Sequence, residues 1–84
     1  MSLEELLAKI AELRRRAEQS EMESRSRLYR TEVARLVDDT ALHFVGDVFV
    51  QSEFAVVRSL LLLGDPIAAL NRFNVIIERH GYRR

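Results

Sequence analysis

Gly64-Asp65-Pro66 constrains the fold of this chain more than any other feature of its sequence. A glycine just past a helix end, an aspartate capping the next helix, and a proline in that helix's first turn together make a sharp helix-to-helix turn. Apolar residues crowd both sides of it. Leu60-Leu61-Leu62-Leu63 leads in, and Ile67, Leu70, Phe73, Ile76 and Ile77 follow at helical spacing until Gly81. So short a connection folds the two helices against each other, which predicts an antiparallel helical hairpin.

The arm before the turn has two readings. His43-Phe44-Val45-Gly46-Asp47-Val48-Phe49-Val50 could be a small β-hairpin turning at Gly-Asp, but its arms would be only about three residues long. Wound at about 100° per residue, the segment sorts itself better. Thr40, His43, Asp47, Gln51 and Arg58 gather on one side, while Ala41, Leu42, Phe44, Val45, Val48, Phe49, Ala55, Val56, Leu60, Leu62 and Leu63 fill a broad opposite arc interrupted only by Ser52 and Ser59. The period predicts one helix over 40–63, with Gly46 inside it at a cost of about 1 kcal/mol.

At the amino terminus, Ser2 and Glu5 form a capping box and Met1 and Leu6 a hydrophobic staple. Leu3, Leu6, Ile10, Leu13 and Ala17 then repeat at alternating three and four, a two-heptad coiled-coil seam. From Arg14 to Arg27 the chain is strongly polar but holds no Gly or Pro. Met22 within it and Tyr29, Val33 and Leu36 beyond it make a second seam, out of register with the first. The preferred reading is one helix over 3–38; the alternative is a break between Ser20 and Ser26.

These elements predict one all-α domain over 1–84: a long amphipathic helix (3–38) followed by a helical hairpin (40–63 and 66–80), up-down-up. At 84 residues without cysteine, a chain has little core and no disulfide to supplement it, so association is the remaining source of stability. The middle helix is apolar over more than half its circumference, and the last helix covers only one strip of it. An oligomeric bundle is the expectation, with Ala41, Val45, Val48, Ser52, Ala55 and Ser59 as the subunit seam. Leu3, Leu6, Ile10 and Leu13 would make a second contact.

Leu63-Gly64-Asp65, Ala69-Leu70, Phe73, Ile77 and Glu78 resemble the turn and second helix of a tetratricopeptide repeat. Ala69 falls at the family's small position and Phe73 at its aromatic one. Over 53–81 the resemblance covers one repeat, with Val57 and Glu53 departing from the pattern in the first helix. It implies a packed helical hairpin and, at one remove, peptide binding. Leu28-Tyr29-Arg30 spells the signature of the mitochondrial Leu-Tyr-Arg proteins. Set mid-helix, with no aromatic before Phe44, it carries no argument.

Thirteen basic and thirteen acidic residues cancel, so no global field draws the chain to nucleic acid or anionic lipid. Arg14, Arg15, Arg16, Arg25 and Arg27, with Arg30 and Arg35, could follow a phosphate backbone, but Glu18, Glu21, Glu23 and Glu32 interleave with them. His43 and Asp47 stand four residues apart without a third ligand or a nucleophile, and glycines at 46, 64 and 81 form no nucleotide loop. No reaction, cofactor or metal is expected. No run approaches the ~20 apolar residues of a membrane span, and a cytoplasmic location is expected. The reading is a non-catalytic interaction module (an adaptor, chaperone or inhibitor) that binds itself and another protein; the alternative is a helical nucleic-acid-binding regulator.

Overall fold

The protein is described by a computed structural model covering residues 1–81. It is all-helical, with no strand among these residues, but the chain is cut into five helices rather than three. They are α1 (Leu3–Gln19), α2 (Glu21–Ser24), α3 (Arg27–Ala41), α4 (Val48–Leu62) and α5 (Pro66–His80), with a 3₁₀ turn at Leu42–Phe44 between α3 and α4.

The long first helix is broken at Ser20 and at Ser26. Ser20 has extended backbone and its hydroxyl accepts from the Glu23 amide at 3.1 Å; Ser26 does the same for the Tyr29 amide at 3.1 Å. A serine hydroxyl that bonds a backbone amide three residues on starts a new helix as firmly as a glycine stops one. The start of α1 follows expectation: Ser2 and Glu5 form the reciprocal capping box. The Leu28-Tyr29-Arg30 tripeptide therefore lies in the first turn of α3 rather than mid-helix, and Phe44 remains the next aromatic along the chain.

The second departure is at residues 42–47. Gly46 is not inside a helix but in the left-handed region at φ +93°, and α4 begins only after Asp47, whose carboxylate accepts from the Val50 amide at 3.1 Å. The residues that mimic a polar stripe serve this joint. Thr40 is buried and donates back to the Leu36 carbonyl. The Gln51 amide donates to the carbonyls of Ala41 and Phe44 at this helix end, the latter also accepting from the Asp47 amide, and Arg58 reaches across to Asp38 at 2.9 Å. A period of 3.6 was present in the sequence, but here it reflects residues meeting across a bend.

α5 packs on both α4 and α1, and α3 lies against α4. The core is shared by Leu6, Ile10 and Leu13 of α1, Tyr29, Val33 and Val37 of α3, Val50, Phe54 and Val57 of α4, and Leu70, Phe73 and Ile77 of α5. Phe54 is its hinge, with Phe73 edge-on at 5.9 Å and Phe44 tilted at 5.8 Å between ring centres. One hydrogen bond and a set of ion pairs tie α3 to α1. The Tyr29 hydroxyl donates to the Leu13 carbonyl at 2.6 Å, and Arg16 spans Glu23 and Glu32 while lying over the Tyr29 ring.

Candidate protein-interaction surface

α4 carries two apolar seams of the same spacing, offset by two residues. Val50, Phe54, Val57 and Leu61 step by four, three and four, and all are buried. Val48, Ser52, Ala55 and Ser59 take the same steps, and all are exposed. Size decides between them. The seam with the phenylalanine and leucine fills the space between α3 and α5, and the seam of small and hydroxyl side chains is left outside.

The outer side of α4 is more apolar than its small residues suggest. Leu62, Ala55, Val48, Ser59, Ser52, Leu63, Val56 and Phe49 follow one another around a sweep of about 140°, and none is charged. Val48 is 82% exposed, Phe49 65%, Leu62 84% and Leu63 81%. Val45 and Leu42, at 76% and 69%, extend the surface past the bend. Charged groups begin only at its edges. On the α3 side, Arg58 is paired with Asp38. On the α5 side, Glu53 takes a 2.6 Å contact from His80 Nε2 and lies 3.6 Å from Arg79, with the Phe49 ring edge-on to His80.

The predicted seam residues divide accordingly. Val45, Val48, Ser52, Ala55 and Ser59 are exposed on this face. Ala41 is not: at 5% exposure it is part of the core beneath the joint, because α3 runs on through it before the chain bends. Leu6, Ile10 and Leu13 are fully buried within the chain, so the second contact expected of them is already made inside the protein, and only Leu3 is exposed at its end. Phe49, Val56, Leu62 and Leu63 were missing from the predicted seam. The signal for Leu62 was the continuation of the outer spacing from Ser59, and for Phe49, Val56 and Leu63 their recurrence every seven residues on the same arc.

The arginine segment does not form one basic face. Arg14 donates to Asn71 and lies 4.0 Å from Glu18, Arg15 donates to Gln19, and Arg25 meets Glu21 at 2.6 Å. Arg16 is held by Glu23 and Glu32, bonds that raise its pKa, and its guanidinium in turn keeps the Glu32 carboxyl below its ordinary range, with Lys9 assisting. Burial pushes the Tyr29 phenol up to about 12, against the pull of Arg16. Arg27, Arg30 and Arg35 make no ion pair among the described residues. Tyr29, the aromatic that could have stacked on a base, is 1% exposed.

Elsewhere, Asp47 is engaged in capping α4 while His43 lies in the 3₁₀ turn. Among the described residues no three His, Cys, Asp or Glu side chains are grouped to hold a metal, and no helix is long and apolar enough to cross a membrane. Ala69 and Phe73, the positions of the tetratricopeptide resemblance, are both fully buried in the core that α5 shares with its neighbours. No protein-family model matches the chain, and no curated protein or solved structure matches it significantly.

Proposed function

We propose that this protein is a non-catalytic helical interaction module that assembles with itself through the outer face of α4 and in that form engages another protein in the cytoplasm. The observation that carries the reading is the uncharged arc from Val48 to Leu63. Its large side chains, with Val45 and Leu42, leave on the order of 700 Å² of apolar surface in water. The largest apolar patch of a typical monomer is about 300–600 Å², and patches beyond that mark contact sites. At about 25 cal/mol per Å², the hydrophobic term for covering it is about 17 kcal/mol per copy, before the costs of association, side-chain ordering and polar desolvation are subtracted.

Two further features support it. The edges of the arc are closed by ion pairs, Arg58 with Asp38 and Glu53 with Arg79, giving the polar rim around an apolar centre that interfaces share. The helices form an up-down bundle in this reading, with α4 and α5 as its antiparallel hairpin. The tetratricopeptide resemblance is extended no further than that hairpin. The nucleic-acid alternative loses ground to the pairing of Arg14, Arg16 and Arg25 with glutamates.

Ala55→Arg tests the reading, since Ala55 is exposed and outside the core. The parent should sediment as an oligomer with a melting temperature that rises with concentration. The variant should lose both properties and keep its helical circular dichroism. A parent that is a concentration-independent monomer in the low micromolar range, unaffected by Ala55→Arg, would refute it.

A further inference from the structure

We infer that the first occupant of the α4 face is one second copy of this chain, its α4 crossing the first in the opposite direction about a two-fold axis near Ala55. This rests on the proposed interaction face and adds its occupant, stoichiometry and orientation. Area selects the size of the assembly. A standard interface buries about 800 Å² per partner, and the apolar arc, on the order of 700 Å², supplies one such surface and not two. A single patch used twice gives a closed isologous dimer.

Side-chain size gives the crossing. Ser52, Ala55 and Ser59 are small and sit at the middle of the arc, where two backbones can approach closely. Val48 and Phe49 stand at one end and Leu62 and Leu63 at the other, where crossing helices diverge and larger side chains fill the gap. Reversed pairing sets the valine-phenylalanine end of one copy on the leucine end of its mate.

Charge gives the direction. The first turns of α3 lie beside the end of α4, where Arg27 and Arg30 line one depression with Leu61 and Leu62. The last turns of α3 lie beside the start of α4, where Asp38 lines another with Leu42, Val45 and Arg58. Asp47 caps α4 at that same end. The α3 flank of the face is thus basic at one end, with two arginines unpaired among the described residues, and net acidic at the other. A two-fold axis perpendicular to α4 lays the α3 flanks of both copies along the same side in opposite directions, so Arg27 and Arg30 of each copy face Asp38 and Asp47 of the other. The same arrangement opposes the two helix dipoles. A parallel pair would put both arginine-bearing ends together.

The chain has no cysteine, so single introduced thiols report the pairing without interference. Val48→Cys and Leu62→Cys lie at exposed positions and leave the core intact. In the reversed pair, like positions are separated by about 20 Å along the helices, beyond a short bis-maleimide, while Val48 and Leu62 of opposite copies are neighbours. The expected result is a cross-linked dimer when the two variants are mixed and re-equilibrated, and none from either variant alone. Arg27→Glu with Arg30→Glu should raise the dimer dissociation constant at least tenfold with helix content unchanged. Cross-linking of each variant alone would overturn the orientation, and a dimer that none of these thiols links would overturn pairing through α4; in both cases an interaction module remains. A parent that is monomeric at tens of micromolar overturns the pairing. If Ala55→Arg then also changes nothing, the proposed function falls with it.

Discussion

Gly46→Ala discriminates between two folds of the middle segment by the sign of its effect. In a continuous helix over 40–63, Gly46 would be an interior helical residue, and alanine there would gain about 0.8–1.0 kcal/mol. In the structure Gly46 has φ +93°, and a Cβ added to it meets nothing within 4 Å. The steric term is therefore absent and the cost is conformational, about 1–2 kcal/mol for placing an L-residue in the left-handed region. The two folds differ by about 2–3 kcal/mol in the predicted change, a large part of the stability of a domain this size. At about 4–8 °C per kcal/mol, the melting temperature should fall by roughly 5–15 °C. Thermal and urea unfolding should be followed by circular dichroism at one fixed chain concentration, because association shifts the midpoint. Gly64→Ala is the matched control: with φ +85° and open space around its Cβ, it should be destabilised in either fold. A Gly46→Ala protein that melts higher than the parent would refute the bend at 42–47, and with it the capping roles of Asp47 and Gln51.

Three other outcomes are expected. Tyr29→Phe should cost about 1 kcal/mol at neutral pH through the lost bond to the Leu13 carbonyl. It should also remove an alkaline transition: the unfolded phenol ionises near pH 10 and the folded one near 12, so the parent alone loses about 2–3 kcal/mol across that window. Glu32 is held below its ordinary pKa by Arg16, so its contribution is present above the unfolded glutamate value of about 4.3 and is lost as pH falls through the lower folded value. Acid unfolding of Glu32→Gln should show the gap to the parent closing over that range. In fluorescence anisotropy with duplex DNA or RNA, binding at physiological salt should be weak, with a shallow salt slope; tight sequence-selective binding abolished by Arg14→Ala, Arg15→Ala and Arg16→Ala together would reinstate the nucleic-acid reading.

The sequence by itself determined the local events whose signals lie within a few residues. The capping box at Ser2 and Glu5, the turn at Gly64-Asp65-Pro66, the all-helical class and the buried periodic faces of α1 and α5 are each set by backbone groups or side chains one helical turn apart. The same kind of signal was present at Ser20 and Ser26, yet it was hidden. A serine in a helical stretch is neutral until its backbone turns extended, and nothing nearby dictates that it should. What only the tertiary structure decided is which face of α4 is inside. Helical winding puts Val48 and Ala55 in the broad apolar arc and leaves Val50, Phe54, Val57 and Leu61 beside the polar residues, yet these four are the buried face. The choice falls to the shape of the space between α3 and α5, which takes the ring of Phe54 against Phe73. The bend at Gly46 has the same origin. A glycine adopts helical or left-handed backbone with little difference in energy, so the bonds from Gln51 to Ala41 and Phe44, and from Arg58 to Asp38, settle it from across the joint.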